Sequence, residues 1–248
     1  MRISIITATF NSAATVKDTL ACVQRQDHPD VEHIIVDGAS IDNTLAIVAG
    51  FSHVSKIVSE KDRGIYDAMN KGIGLATGDI IGILNSDDIY IDPTVLSEVA
   101  RVFADPEVMT VYADLQYVDA NDPSRIRRTW VAGPFKKKNF YYGWMPPHPT
   151  FFVRKEVYRQ AGLFSTDLRS AADYELILRV LLKYGFSVRY LPRVIVKMRV
   201  GGMSNASLNN RLRANKEDRL AWKLNGLKPN FFTLYLKPLR KLHQFIIK

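Results

Sequence analysis

The sequence predicts an α/β fold: a mainly parallel central sheet with helices on both faces, followed by a helical, basic C-terminal extension. Three observations carry this reading. Apolar, β-branched runs of strand length alternate with helical stripes through the first third of the chain. Several of these runs stop at polar turn residues, as strands do at the edge of an open sheet. Strands spaced by helices need crossover connections, and those give parallel pairing.

Taken in order, Ile3 to Thr9 is a buried strand, and Asn11 or Ser12 caps a helix with Val16, Leu20 and Val23 on one face. His33 to Asp37 is the second strand, closed by Gly38, and Asp42 or Asn43 caps a short helix through Val48. Val54 to Ser59 is the third strand. Ile65 to Ala76 is a helix with Ile65, Met69 and Ile73 on its stripe, ended by Thr77-Gly78. Asp79 to Leu84 is a fourth strand, stopped by Asn85-Ser86-Asp87-Asp88. From about residue 108 the rhythm changes: Val108 to Tyr117 and Ile126 to Val131 read as strands without long helices between them. Pro134 to Pro149, rich in Lys, aromatics and Pro, reads as a long irregular loop of the kind that carries function. Ala172 to Tyr184 is a helix, Ser187 to Arg199 supplies one or two strands, and Leu208 to Leu224 is a basic helix.

A chain of 248 residues can bury a full core without a disulfide or structural metal. Its single cysteine, Cys22, excludes an internal bridge and a cysteine-based zinc cluster. With 47% apolar and 24% charged residues it reads as globular, and no apolar run is long enough for a transmembrane helix. The opening MRISIITATFN is too short and too strand-like for a signal peptide, so a reducing cytoplasm is the expected compartment. The net charge of +9 is uneven: residues 208–248 hold 10 Lys/Arg against 2 acidic residues, and residues 1–207 hold 24 against 23. The expected division is therefore a near-neutral body over 1–207 and a basic extension over 208–248 that meets an anionic surface. In the extension Phe232, Leu236, Leu239, Leu242 and Ile246 fall at near-helical spacing among Lys237, Arg240 and Lys241. A short basic amphipathic segment lies in a membrane interface without spanning it; the same apolar residues would equally suit packing on the body or on a second subunit.

Ligands of open parallel sheets bind at the carboxyl ends of the strands. Three such ends are polar here: Thr9-Phe10-Asn11, Asp37-Gly38 and Asn85-Ser86-Asp87-Asp88. No GxxxxGK[ST] occurs and no GxGxxG follows the first strand, which excludes a P-loop and a dinucleotide fingerprint. Adjacent carboxylates repel, and a hard divalent cation relieves that repulsion; Asp87-Asp88 would suit Mg²⁺ or Mn²⁺, or equally a solvated cap before Asp92-Pro93. Arg63, at the start of the 65–76 helix, suits a diphosphate clamp or a surface ion pair with Glu60 or Asp67. Asp37 with Phe10 could read and stack a base, or be a turn aspartate before Gly38. His148 in PPHPTFF and Asp173 at a helix start have ordinary structural roles open to them as well.

The segments SIITATFN, IIVDGASIDNT, EKDRGIYDAMNKGIGLATGDIIGILNSDD and AADYELILR, in this order, resemble glycosyltransferase family 2. These are inverting, nucleotide-sugar-dependent enzymes with the GT-A fold. The chain is most similar to bacterial enzymes that build exopolysaccharide, O-antigen or capsule units. The resemblance covers most of residues 1–185. It implies a nucleotide-diphosphate sugar donor and a glycan or lipid-linked acceptor; the near-neutral body adds the expectation of no nucleic acid, and the basic extension that of a peripheral place on the inner face of the cell membrane, which fits lipid-linked acceptors. Residue by residue, it implies donor contacts from Thr9, Phe10, Asn11, Asp37, Arg63, Asn70, Ser86 and Asp87. It further implies Mg²⁺ or Mn²⁺ at Asp87 and Asp88, and Asp173 as catalytic base. Trp144 and His148, in the aromatic loop, are candidates for the acceptor side. Two positions depart from the family pattern: Asn85 stands where the metal motif begins with Asp, and Ala172 stands where Glu precedes the base. A glycoside hydrolase with two carboxylates is the main alternative, and it would need no Arg63 clamp. A nucleic-acid binder using the basic extension is the other, and the near-neutral body speaks against it.

Overall fold

A computed structural model of the chain describes residues 1–201 and 208–240. The strands β1 (Ile3–Thr9), β2 (Val31–Asp37), β3 (Val54–Ser59) and β4 (Ile80–Ile83) pair in the order β3-β2-β1-β4, all parallel. All seven residues of β1 are buried, which is why it reads as a continuous apolar run rather than an alternation. Its side chains still alternate between faces. Ile6 and Ala8 pack with Tyr66, Met69 and Ile73 of α3 (Ile65–Leu75); Ile3 and Ile5 pack with Cys22 and Val23 of α1 (Val16–Gln24). Val48 of α2 (Thr44–Ala49) packs with Val16 and Leu20 of α1, so helices cover both faces, as expected. Helix α3 lies very close to the sheet: a Cβ on Gly72 would stand 2.4 Å from Ile6 Cγ2.

Beyond β4 the sheet continues through β8 (Phe152–Arg154), β6 (Thr110–Val118), β9 (Val188–Arg199) and β5 (Asp88–Tyr90), with β7 (Ile126–Trp130) on β6. β6 and β9 are parallel to each other, whereas β8, β5 and β7 are antiparallel to their neighbours. The parallel majority agrees with the sequence reading. Several short elements did not register in the sequence pattern: β5 and β8, of three residues each, and the helices α4 (Val95–Val102) and α5 (Lys155–Ala161).

Local details also differ. Helix α1 starts after Thr15 with no side-chain cap, because Asn11 and Ser12 turn their side chains to neighbouring loops instead. The helix expected over 172–184 is α6 (Ala172–Leu178) followed by a π turn over Arg179–Lys183. The 134–149 loop carries a 3₁₀ turn over Lys137–Tyr142. Of the extension, α7 (Leu208–Leu224) and α8 (Thr233–Leu239) lie on the body. Trp222 is fully buried and its Nε1 donates to Tyr174 Oη at 2.9 Å. At Gly143 (φ +76) a Cβ would stand 2.4 Å from the Lys237 backbone nitrogen, so α8 seats directly on that turn. Lys241, Leu242 and Ile246, part of the expected amphipathic segment, lie outside the described residues. No helix among the described residues is long and apolar enough to cross a membrane.

A histidine pair links the first three strands: His33 of β2 is buried and His53, just before β3, is partly buried. His33 is inaccessible to solvent, its Nε2 is 3.0 Å from Thr7 Oγ1, and its Nδ1 is 3.0 Å from His53 Nε2. Burial, reinforced by the neighbouring His53, brings the His33 imidazole down to about 3. The unfolded chain takes up a proton near pH 6.5 and the folded chain does not, so this contribution is complete above 6.5 and is lost as pH falls. Folding stability should therefore drop by about 1.4 kcal/mol per pH unit below 6.5 from His33. Chemical denaturation between pH 7 and 5 measures this slope, and His33→Gln should flatten it.

Candidate active site

The carboxyl ends of β1, β2 and β4 gather the polar residues that the sequence singles out. At the first end Thr9 is buried and Phe10 is 64% exposed, presenting its ring to solvent. Asn11 adopts φ 48 and Ala39 φ 62, left-handed backbone that non-glycine residues rarely take. Strain of this kind gathers at functional sites. The loop is held by Asn11 N donating to Ser40 Oγ at 2.9 Å and Ile41 N donating to Asn11 Oδ1 at 3.0 Å.

Asp37 is wholly buried, and its carboxylate accepts four hydrogen bonds, from Thr9 Oγ1, Ser40 N, Ser40 Oγ and Ser59 Oγ. Burial alone would raise its carboxyl; the hydrogen bonds, led by those from Ser40, hold it below the ordinary value. Its oxygens are thus occupied with shaping the rim. The neighbouring Asp62 is better placed toward the Phe10 ring. Its Oδ2 would lie 2.6 Å from a Cβ on Gly38, and Phe10 Cδ2 3.4 Å from the same point, so the Asp62 carboxylate and the Phe10 ring meet over Gly38, where a larger residue would not fit.

Arg63 stands before α3, 78% exposed, its guanidinium 3.0 Å from Asp67. The clamp and the surface pair are thus compatible, since most of the guanidinium faces solvent. Asn70 is taken up differently: its Nδ2 donates to Phe164 O, and Phe164 N donates to its Oδ1, both at 2.9 Å. It fastens α3 to the segment leading into α6.

The acidic turn is the most constrained part of the site. Ser86 Oγ is 2.9 Å from Ser12 Oγ. Asp88 is inaccessible, its Oδ2 accepts from Asn85 Nδ2 at 2.8 Å, and Asp88 Oδ1 and Asn85 Oδ1 have no hydrogen-bond partner. Burial, followed by repulsion from Asp87, pushes the Asp88 carboxyl well above its ordinary value; burial also raises Asp87. Behind the turn lies Arg199, which the sequence reading did not single out. It is 6% exposed, donates to Asp87 O at 2.8 Å and to Ala120 O at 3.1 Å, and pairs with Asp18 of α1. Orphaned oxygens of Asn85 and Asp88, two side chains of one turn, beside the ionisable Asp87, fit a hard divalent cation that completes its shell with water or phosphate oxygens. No cluster of three or more His, Cys, Asp or Glu suited to a metal occurs among the described residues.

On the other side of the site Asp173, at the start of α6, is 18% exposed. Tyr66 Oη donates to its Oδ1 at 3.2 Å, and His148 Nδ1 lies 3.1 Å from its Oδ2. His148 lies on the Asp87 side of the base candidate, close enough to figure among the surroundings of the acidic turn. Tyr66 is a second residue missed in the sequence, where it reads only as an apolar helix position. Trp144 is not an acceptor platform: it is 5% exposed, its Nε1 donates to Ala132 O at 2.8 Å, and its ring packs on Tyr112, Phe135 and Phe140. The exposed aromatic of that loop is Tyr142.

An acidic turn, an exposed arginine at a helix start and a separate carboxylate gathered at the carboxyl edge of a parallel sheet stand where such folds bind their ligands. The family model for glycosyl transferase family 2 matches residues 4–162, and the chain belongs to that family; it is a glycosyltransferase. It is 31% identical over 207 residues to a PGL/p-HBAD biosynthesis glycosyltransferase of Mycobacterium bovis, covering 82% of this chain and 78% of the relative. An uncharacterized glycosyltransferase of Mycobacterium tuberculosis is 30% identical over 186 residues, 73% of this chain and 69% of the relative. Among solved structures, S. aureus TarS 1-349 in complex with UDP-GlcNAc superposes with a TM-score of 0.71 at 18% identity, over 99% of this chain and 72% of that one. The mannosyltransferase PcManGT from Pyrobaculum calidifontis, in complex with GDP-Man and Mn²⁺, gives 0.69 at 23% identity, over 98% and 70%. The chain spans 43% of a longer TarS chain that shares the fold. The GT-A architecture is thus shared at low identity.

An Asp88→Asn substitution removes a buried charge and its repulsion while keeping the shape. Because ionisation of Asp88 works against the fold as pH rises through its elevated value, the variant should melt at a higher temperature than the parent at pH 8 without metal. Isothermal calorimetry of UDP and GDP with Mn²⁺ should show its affinity reduced at least ~10-fold, with EDTA reducing the parent similarly.

Proposed function

We propose that the protein is an inverting transferase that moves a sugar from a nucleotide-diphosphate donor to a hydroxyl of a glycan or lipid-linked acceptor in cell-surface polysaccharide biosynthesis. The observation that carries this reading is the pairing of a buried, partly unsatisfied acidic turn with a separate carboxylate, Asp173, across His148. Support also comes from the mycobacterial relative, a biosynthetic glycosyltransferase, and from neighbours solved with UDP-GlcNAc or with GDP-Man and Mn²⁺.

The donor base stacks on the exposed Phe10 ring beside Asp62, on a rim organised by Thr9, Asn11 and Asp37. The diphosphate lies along the start of α3, where the exposed Arg63 guanidinium meets negative charge; the Arg63 and Gly64 N–H groups are already held by Asp67 and Asp62. Asp87 and Asp88, with the Asn85 carbonyl and Ser86 beside them, would hold Mg²⁺ or Mn²⁺. That ion supplies charge neutralisation for the departing diphosphate. Asp173 accepts the proton of the acceptor hydroxyl as its oxygen attacks the anomeric carbon from the face opposite the nucleotide. The carbon–oxygen bond to the diphosphate breaks in the same event, and configuration inverts. Ala172 in place of a second carboxylate leaves this base without an adjacent like charge. Positioned general-base catalysis contributes about 10²–10⁴ in rate. Asp173→Asn should therefore lower kcat by about 10²–10⁴ while donor affinity stays within about 3-fold. Nucleoside diphosphate release and calorimetry read the two quantities, and near-parental turnover would refute the assignment.

We also infer a peripheral position on the cytoplasmic face of an anionic membrane. Phe231, Phe232 and Tyr235 are 80%, 63% and 52% exposed and contact one another, while Arg219, Lys223 and Lys228 are exposed on the same extension. Aromatics flanked by basic residues suit the bilayer interface, where each Lys or Arg adds about 1 kcal/mol against anionic lipid. Co-sedimentation should show the full chain binding phosphatidylglycerol vesicles in preference to phosphatidylcholine. Phe231→Ser/Phe232→Ser should reduce binding at least ~5-fold, and equal binding to both lipids would oppose the idea.

A further inference from the structure

The two hydrogen-bond partners of Asp173 come from opposite sides of the site, and each is itself fixed. Tyr66 is 9% exposed and stacks on Phe164, with ring centroids 5.6 Å apart at 24°. The backbone of Phe164 is in turn bound in both directions by Asn70, one turn further along α3. His148 begins a 3₁₀ turn whose Thr150 is fully buried. Thr150 Oγ1 donates to Ala113 O at 2.9 Å and accepts from Ala113 N at 3.1 Å, which ties the turn to β6.

We propose that Tyr66 and His148 are positioning residues that clamp the Asp173 carboxylate at both oxygens and so lock the base to the helix that receives the donor diphosphate. This rests on the reading of Asp173 as the base. The terminal torsion of an aspartate is broad, so a carboxylate on a helix start is not oriented by its backbone alone. Two donors in fixed places remove that freedom. A carboxylate only accepts, so His148 presents Nδ1–H to Oδ2 and Tyr66 presents its hydroxyl to Oδ1. Each oxygen keeps a further lone pair for the incoming proton. Tyr66 stands one turn after Arg63, so the phosphate-facing end of α3 and the orientation of the base belong to one rigid piece. The departure at Ala172 gives the clamp added weight: the residue before Asp173 carries no carboxylate.

The test uses the full chain with Tyr66→Phe, His148→Ala, His148→Asn and Asp173→Asn. Tyr66→Phe keeps the ring on Phe164 and removes only the hydroxyl, and Asn places an N–H near the position of Nδ1. Turnover is read as UDP, dTDP or GDP release from a panel of the corresponding nucleotide sugars. We expect Tyr66→Phe and His148→Ala to lower kcat by about 10–100-fold with KM for the donor changed less than about 2-fold, and His148→Asn to recover part of the loss. A crystal structure of each variant, which needs no donor, should show Asp173 in a second rotamer. Parental kcat, or an unmoved single Asp173 rotamer, in both Tyr66→Phe and His148→Ala would overturn the clamp. A dead Asp173→Asn alongside such variants overturns the clamp alone. Parental turnover in Asp173→Asn overturns the base reading, and the clamp with it.

Discussion

The site is built around the desolvation of two adjacent carboxylates at the end of β4. Burying Asp88 beside Asp87 is unfavourable by itself, and the surrounding elements answer that cost. Arg199, near the end of β9, reaches the Asp87 carbonyl and pairs with Asp18 of α1. Thr19 of α1 donates to the Asp88 carbonyl at 2.8 Å. One turn thus draws the first helix and the last strand together, although 181 residues separate Asp18 from Arg199. The antiparallel pairing of β5 with β9 follows from the same constraint, since β5 begins at Asp88 itself and registers it opposite Met198, next to Arg199.

Asp37 and Asp88 make an instructive contrast. Both are buried aspartates at the carboxyl edge of the sheet. Asp37 receives four hydrogen bonds and is held low, whereas Asp88 receives one side-chain bond to Oδ2, keeps Oδ1 unpaired and is held high. A saturated carboxylate is scaffold, and an unsaturated one has capacity left for a ligand. The left-handed backbone at Asn11 and Ala39 belongs with the saturated case, because the Asp37 network with Ser40 over-determines that loop and sustains the strain.

Of the four parallel strands, β1, β2 and β4 were legible in the sequence because each is a short, largely buried apolar run followed by polar residues; β3, at the edge of the sheet with no buried residue, was legible from its β-branched residues alone. Their convergence on one edge was legible for the same reason, and family resemblance supplied the chemical roles. Strands β5 and β8 were not legible, since three residues are too few for any period. Tyr66, Arg199 and Asp62 escaped because their importance is relational. Tyr66 looks like a core position until its hydroxyl meets a carboxylate 107 residues away, and Arg199 looks like the end of a strand until its donors are traced. Trp144 illustrates the opposite error. An aromatic in a Lys- and Pro-rich loop reads as exposed, yet the loop has a core of its own, and Phe135, Phe140 and Trp144 fill it.

The extension connects to the same machinery around the start of α6, through Ser170, Tyr174 and Glu175. Tyr174, next to Asp173, accepts from Trp222 of α7 and lies under the Lys237 ammonium of α8, 3.6 Å from the ring centroid. Lys237 is further paired with Asp218 at 2.7 Å. These contacts fix the approach of both extension helices to the start of α6. They also explain why Leu234 is buried while Phe231, Phe232 and Tyr235 face outward: the face of α8 that meets the 137–142 turn is already occupied. On the peripheral reading, the bilayer-facing aromatics and the base share one rigid support. A lipid-linked acceptor arriving along that surface would then meet Asp173 without any hinge between the membrane contact and the reacting hydroxyl.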